Sequence, residues 1–213
     1  MSTRANRVTP AGDLVAVSDR GMFWGNRGAL LNEAGEPARW SNGRLWIICV
    51  LQFNGRQRVQ WQPRRLTELY FLDEATGLAA GHRPCGECRH ADYAAYKAAF
   101  FVAFPDDEPR VRGIDARLHA DRLAGPRQRR TFLDDSGALP TGAMVLLDGE
   151  PWLVHGQALR AWSSGGYGAA RAYVAGEPLT VLTPRATVAV LAGGYRPVLH
   201  PSVAQTGMAM STR

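Results

Sequence analysis

The chain has 213 residues, 46% hydrophobic and 21% charged, a composition suited to one large or two small soluble globular domains with enough chain for a real core. Its longest unbroken apolar runs, 45–51 and 98–104, have seven residues each, far short of the roughly 20 that a membrane-spanning helix needs. The net charge of +6 favours anionic partners, nucleic acid above all.

Residues 1–43 read as irregular, punctuated by Gly21, Gly25, Gly28 and Gly43. The β-branched and aromatic run over 45–53 predicts a buried strand. Asn54-Gly55 predicts a tight hairpin turn, with a return strand over 58–61 stopped by Pro63. A third strand is expected over 67–72. Asp73 then caps a short helix through Ala80, closed by Gly81. A helix over 90–104 places Tyr93, Tyr96, Phe100 and Phe104 at helical spacing, a stripe suited to core packing. A second helix runs over 111–123 and ends at Gly125-Pro126. Beyond it the pattern turns to strands at 143–147, 152–155, 158–162 and 179–182, with a glycine-rich loop over 163–175. Thr183-Pro184 opens a last helix through about Ala192. The segment 74–84 resembles 185–197, each following a short strand and ending in a Gly-aromatic-Arg-Pro turn, as a duplicated strand–helix–turn unit would.

The chemistry concentrates at Gly81-His82-Arg83-Pro84-Cys85-Gly86-Glu87-Cys88-Arg89. Two thiolates in a C-x-x-C turn can aim at one tetrahedral metal ion; a redox pair and two ordinary thiols are the other readings of that spacing. The helix before the knuckle favours zinc, because a thioredoxin-like motif follows a strand. The third cysteine, Cys49, lies on the first predicted strand. An odd cysteine count, with no apolar stretch behind the basic N-terminal residues, points to a reducing cytoplasm.

The run over 69–89 resembles the N-terminal zinc domain of the Ada methyl-phosphotriester DNA repair family, in which a strand and a short helix lead into A-G-(aromatic)-R-P-C-x-x-C. The resemblance covers about twenty contiguous residues, or about forty with Cys49, and leaves 105–213 unaddressed. In that family four cysteines bind zinc, and one strand-borne thiolate accepts a methyl group from a DNA phosphotriester. It implies Cys85 and Cys88 as one ligand pair and Cys49 at the methyl-accepting position. Phe53 stands where the family's remaining cysteine would fall, so at most three cysteine ligands are present.

A fourth ligand is sought among His82, His90, His119, His155 and His200. His119, one turn from Asp115 on the 111–123 helix, is the candidate. With no fourth protein ligand the site is open, and metal-bound water becomes available near neutral pH. Pro84-Cys85-Gly86-Glu87-Cys88 also matches half of the zinc-deaminase signature; His119-Ala120-Asp121 approximates the other half, with Asp for Glu and in reverse order. Asp115 and Asp121 are the candidate bases of an open-site enzyme.

Arginines cluster twice: Arg56, Arg58, Arg64 and Arg65 around Trp61, and Arg127, Arg129 and Arg130 in the basic 109–130 stretch. These are candidate phosphate contacts, with Trp61 as a stacking face. However, Lys97 is the only lysine among 25 basic side chains, a bias that a GC-rich genome also produces, so a solvated arginine surface is the plain alternative.

The sequence therefore predicts an α+β protein: a small antiparallel sheet with an Ada-like strand–helix–zinc knuckle over 1–135, then a β-rich part over 136–213. The expected function is zinc-dependent binding of nucleic acid, DNA in repair or modification, in the cytoplasm and away from membranes. The alternatives are a zinc hydrolase or deaminase acting on nucleic acid or a nucleotide, and a structural zinc beside a protein- or small-molecule-binding C-terminal half.

Overall fold

The computed structural model describes residues 4–57, 59–108 and 110–204. The chain is α+β, with two six-stranded sheets and four α-helices among these residues.

The N-terminal stretch, expected to be irregular, supplies three strands: β1 (Arg7–Val8), β2 (Leu14–Val15) and β3 (Phe23–Asn26). They join β4 (Ile47–Val50), β5 (Leu69–Phe71) and β6 (Arg83–Pro84) in the order β2-β1-β5-β3-β4-β6. The sheet is mixed: β1/β5 and β4/β6 pair parallel, while β1/β2, β3/β4 and β3/β5 pair antiparallel. The expected return strand over 58–61 does not form among the described residues, and Arg58 lies outside them. Asn54 and Gly55 do adopt the positive φ (51° and 66°) of a tight turn. Beyond it the chain finds no partner, because both edges of β4 are already taken by β3 and β6.

Helix α1 (Glu74–Ala79) starts as expected: Asp73 accepts hydrogen bonds from the Thr76 backbone N–H at 2.9 Å and the Thr76 hydroxyl at 2.8 Å. Gly77 lets α1 lie against the sheet, since a Cβ there would meet Ile48 Cδ1 at 2.6 Å. Gly81 takes φ +92°, the left-handed turn that ends the helix. α1 has no basic residue of its own in its last turn. Its C-terminal carbonyls are instead capped from far along the chain: Arg122 donates to Gly81 O at 2.9 Å, and Arg129 to Ala80 O at 3.3 Å and to Ala79 O.

After the knuckle come α2 (His90–Ala103) and α3 (Val111–Arg122), then a two-stranded ribbon of β7 (Leu123–Gly125) and β8 (Gln128–Arg129). The second sheet consists of β9 (Phe132–Asp135), β10 (Met144–Leu147), β11 (Glu150–His155), β12 (Ala158–Ser163), β13 (Gly166–Ala172) and β14 (Pro178–Val181). It is antiparallel throughout, in the order β13-β12-β11-β10-β14-β9. The 163–175 stretch, expected as loop, thus provides strand β13. Helix α4 (Arg185–Ala192) closes the layer.

One hydrophobic core runs through both sheets. Ile48, Leu69 and Phe71 meet Leu78 of α1, Tyr96 and Phe100 of α2, Leu118 of α3, Val190 of α4, and Val145 and Val181 of the second sheet. The C-terminal segment is tied to α1 by two buried acids. Asp73 accepts from Tyr167 Oη at 2.8 Å and His200 N at 3.0 Å; Glu74 accepts from Tyr195 Oη at 2.6 Å and Val198 N at 2.9 Å.

His82 is fully buried, its ring packed on Trp46 at 5.1 Å and Phe71 at 4.8 Å. Burial holds its pKa well below the ordinary histidine value, and the cationic Arg27, Arg122 and Arg129 lower it further. A histidine depressed in the folded state binds its proton on unfolding, so its contribution is present above pH about 6.5 and is lost as pH falls below it. The expected slope is at most about 1.4 kcal/mol per pH unit. Urea unfolding from pH 7 to 5 should show this loss, and His82→Phe should flatten it; an unchanged slope would refute the assignment.

Candidate metal centre

The six strands of the first sheet give it two different faces. Across one row, Trp24 on β3 lies opposite both Tyr70 on β5 and Cys49 on β4. Directly opposed residues share a face, so Tyr70, Trp24 and Cys49 stand side by side away from the main core. The alternate residues of the same strands, Phe23, Ile48, Leu69 and Phe71, face that core. Trp24, Cys49 and Cys85 instead form a separate small cluster, with Ile47, Tyr70 and Cys88 packed against it.

Cys85 arrives beside Cys49 because β6 runs parallel to β4, with Cys85 N donating to Ile48 O at 2.9 Å. The next turn returns Cys88 to the same place. The sulfurs of Cys49, Cys85 and Cys88 all lie within 4.8 Å of one another and can hold a metal ion. A tetrahedral ion with metal–sulfur bonds of about 2.3 Å needs sulfurs about 3.8 Å apart, so only a small contraction is required. Glu87 N lies 3.4 Å from Cys85 Sγ, a backbone donor aimed at the sulfur. Cys49 and the backbone N–H groups of Cys88 and Glu87 pull the Cys85 thiol down to about 5 despite its burial. The neighbouring Cys85 and burial push Cys49 up, and burial pushes Cys88 up. An ion held by these sulfurs would displace thiol protons, so its binding should weaken in acid.

No fourth His, Cys, Asp or Glu atom joins this group among the described residues. The three sulfurs instead face a cavity of about 640 Å³, walled by the sheet face and by the 51–66 loop. Phe53, at the position of the missing cysteine, lines this cavity with an aromatic ring.

The other sequence candidates lie elsewhere. His119, expected as the fourth ligand, sits on α3 beside Arg122 and Arg44; burial first, then those charges, keep its pKa low. Asp115 is consumed by a two-pronged pair with Arg83 at 2.8 and 3.0 Å, and Asp121 accepts from Ala186 N at 2.8 Å at the start of α4. Neither faces the sulfurs. Arg129 gives its guanidinium to backbone carbonyls, including Leu182 O at 3.0 Å, and serves the fold instead of a phosphate. Trp61 is tied down as well: its backbone N–H donates to Glu68 at 3.0 Å and its indole N–H to Gly35 O at 2.9 Å. Arg56 is half-exposed at the cavity wall and pairs with Glu87. Arg64 is exposed and pairs with Glu33, Arg127 reaches Ala38 O at 2.8 Å, Arg130 donates to Leu123 O at 3.4 Å, and Arg65 is exposed.

The cavity residues that the sequence did not single out include Trp24, Tyr70, Glu68, Asn26 and Gln60. Their available signal was alternation: Trp24/Asn26, Ile47/Cys49/Leu51 and Glu68/Tyr70 each occupy every second position of a strand and its flank.

No family model matches the chain, and neither a curated protein nor a solved structure matches it. No helix among the described residues is long and apolar enough to cross a membrane.

Proposed function

We propose that this is an Ada-like zinc protein that binds nucleic acid, DNA in a repair or modification setting, through the sheet face bearing its metal centre. The observation that carries the reading is the convergence of Cys49, Cys85 and Cys88 on the floor of an open cavity. Zinc fits the donor set: thiolates with backbone N–H support in a four-coordinate-sized cluster. A zinc ion held there would link β4 to the turn before α2 and would supply Lewis acidity at the cavity floor. Cys49, Cys85 and Cys88 would hold it. Support for an anionic polymer comes from the +6 charge and from Arg56 and Arg65 on the cavity loop.

The purified protein should contain about one zinc per chain. Its affinity for DNA should fall with salt, and Arg56→Glu or Arg65→Glu should each reduce the log–log slope by about 0.7–0.9. A metal-free protein, or DNA affinity indifferent to salt, would remove this function. One feature favours an open-site enzyme as second reading: the carboxylate of Glu68, which is 8% exposed, belongs to the cavity wall. A cobalt-substituted protein whose visible spectrum titrates with pH would point that way.

A further inference from the structure

We infer that the cavity above the three cysteines receives a single nucleobase, with the sugar–phosphate left at its rim. The inference rests on the nucleic-acid reading of the same site and adds which part of the ligand goes in. Five observations converge on it.

The floor carries two aromatic side chains next to each other, Trp24 and Tyr70, in the same row as Cys49. Flat aromatic surfaces on a sheet face are what unstacked bases lie against. The wall brought by the 51–66 loop is rich in amides: Gln52, Asn54, Gln57 and Gln60 all line the cavity. An amide both donates and accepts, so such a wall complements the mixed donor and acceptor edge of a base better than an aliphatic chain or a simple anion. Gln60 already shows this use, donating from Nε2 to Tyr70 Oη at 2.7 Å.

The charge distribution separates base from phosphate. Three thiolates around a divalent ion leave a net negative centre, and Glu68 adds a second negative group, so a phosphate is disfavoured at the floor. The cation at the cavity wall is Arg56, over the Phe53 ring at 5.4 Å; Arg7 stacks on the Tyr70 ring at 4.6 Å from outside the cavity lining. A neutral heterocycle inside and a phosphate outside matches that pattern. The volume of about 640 Å³ lies within the range of small-ligand sites and accommodates a nucleoside.

The loop is also held in an unusual conformation. Among the described residues, four non-glycine residues have positive φ, and three of them, Asn54, Trp61 and Arg64, are in this loop. Such backbone persists where its surroundings over-determine it, as at ligand clamps. Here the Glu68, Gly35, Glu33 and Glu87 contacts supply the restraint.

The test uses the zinc-loaded full chain and the four deoxynucleosides, with a single-stranded 8-mer and the matching duplex beside them. Saturable binding should perturb the visible spectrum of the cobalt-substituted protein. Gln60→Ala, on an exposed side chain, and Tyr70→Leu should each weaken binding about fivefold or more while leaving metal content unchanged. Binding of free nucleosides identifies a free-nucleoside site; binding of the 8-mer alone identifies a base presented by a strand. Both support the inference. Zinc-loaded protein that binds DNA with ordinary salt dependence, unaffected by either substitution and blind to nucleosides, overturns the inference and leaves the proposed function standing. A chain without zinc that still binds nucleosides does the reverse.

Discussion

Cys85→Ser should purify almost free of metal and unfold well below the wild type. Serine keeps the shape but supplies no thiolate, and Cys85 is the sulfur that Glu87 N approaches at 3.4 Å. A metal that binds only the folded chain stabilises it by mass action, so a thousandfold loss of affinity removes about 4 kcal/mol. For a chain of this length that is a shift of roughly 8–16 °C in midpoint. Chelator separates this from a packing effect: wild type stripped of metal should fall to the mutant's midpoint, while the mutant should not respond. Equal metal content and equal midpoints in both proteins would sink the assignment. The remaining fold should survive, because the main core lies on the other face of the sheet.

Glu74→Ala should be as damaging although it touches no sulfur. Glu74 is fully buried and lies 2.8 Å from Arg89 Nη2, on a side chain that is itself 2% exposed. It also accepts from Tyr195 and the Val198 backbone. Removing the carboxylate leaves Arg89 with only the part-exposed Asp92, at 2.9 Å, and strands two donors in the interior, a loss of about 3 kcal/mol. Arg56→Ala, which breaks the exposed pair with Glu87, should leave stability close to that of the wild type. Because Arg89 directly follows Cys88, Glu74→Ala should also weaken metal binding, whereas Arg56→Ala should leave it in place. Denaturant unfolding alongside metal titration checks both; a Glu74→Ala protein of near wild-type stability would show that this buried ion pair is dispensable.

The knuckle and its helix are legible in the sequence because their determinants are local. Asp73, Gly81 and the C-x-x-C spacing act over three to eight residues, and each acts in the fold as its chemistry demands. Cys49 beside Cys85 needs the parallel β4/β6 pairing, which spacing alone does not encode. The first three strands are hard to read because two are only two residues long and β3 carries Gly25 and Asn26. The hairpin expected at Asn54-Gly55 forms its turn but not its return strand, since a strand there would need an edge of β4 that β3 and β6 leave no room for. Arg129 reads as a surface cation because its acceptors, the carbonyls at 79, 80 and 182, lie about fifty residues away in either direction. His119 is on the helix predicted for it, but that helix presents it to Arg44 and Arg122 and not to the sulfurs.

The clamp of Asp73 and Glu74 on Tyr167, Tyr195, Val198 and His200 also sets an order of events during synthesis. Cys85 and Cys88 leave the ribosome before Tyr195 and Val198, so Glu74, the buried acid on Arg89 beside them, lacks two of its partners until those residues have emerged. N-terminal-first maturation, the usual course for independent domains, is thus closed to this knuckle. A metal held by these cysteines would then be loaded late, and a product ending before Tyr195 should carry its cysteines on an unsteady mount.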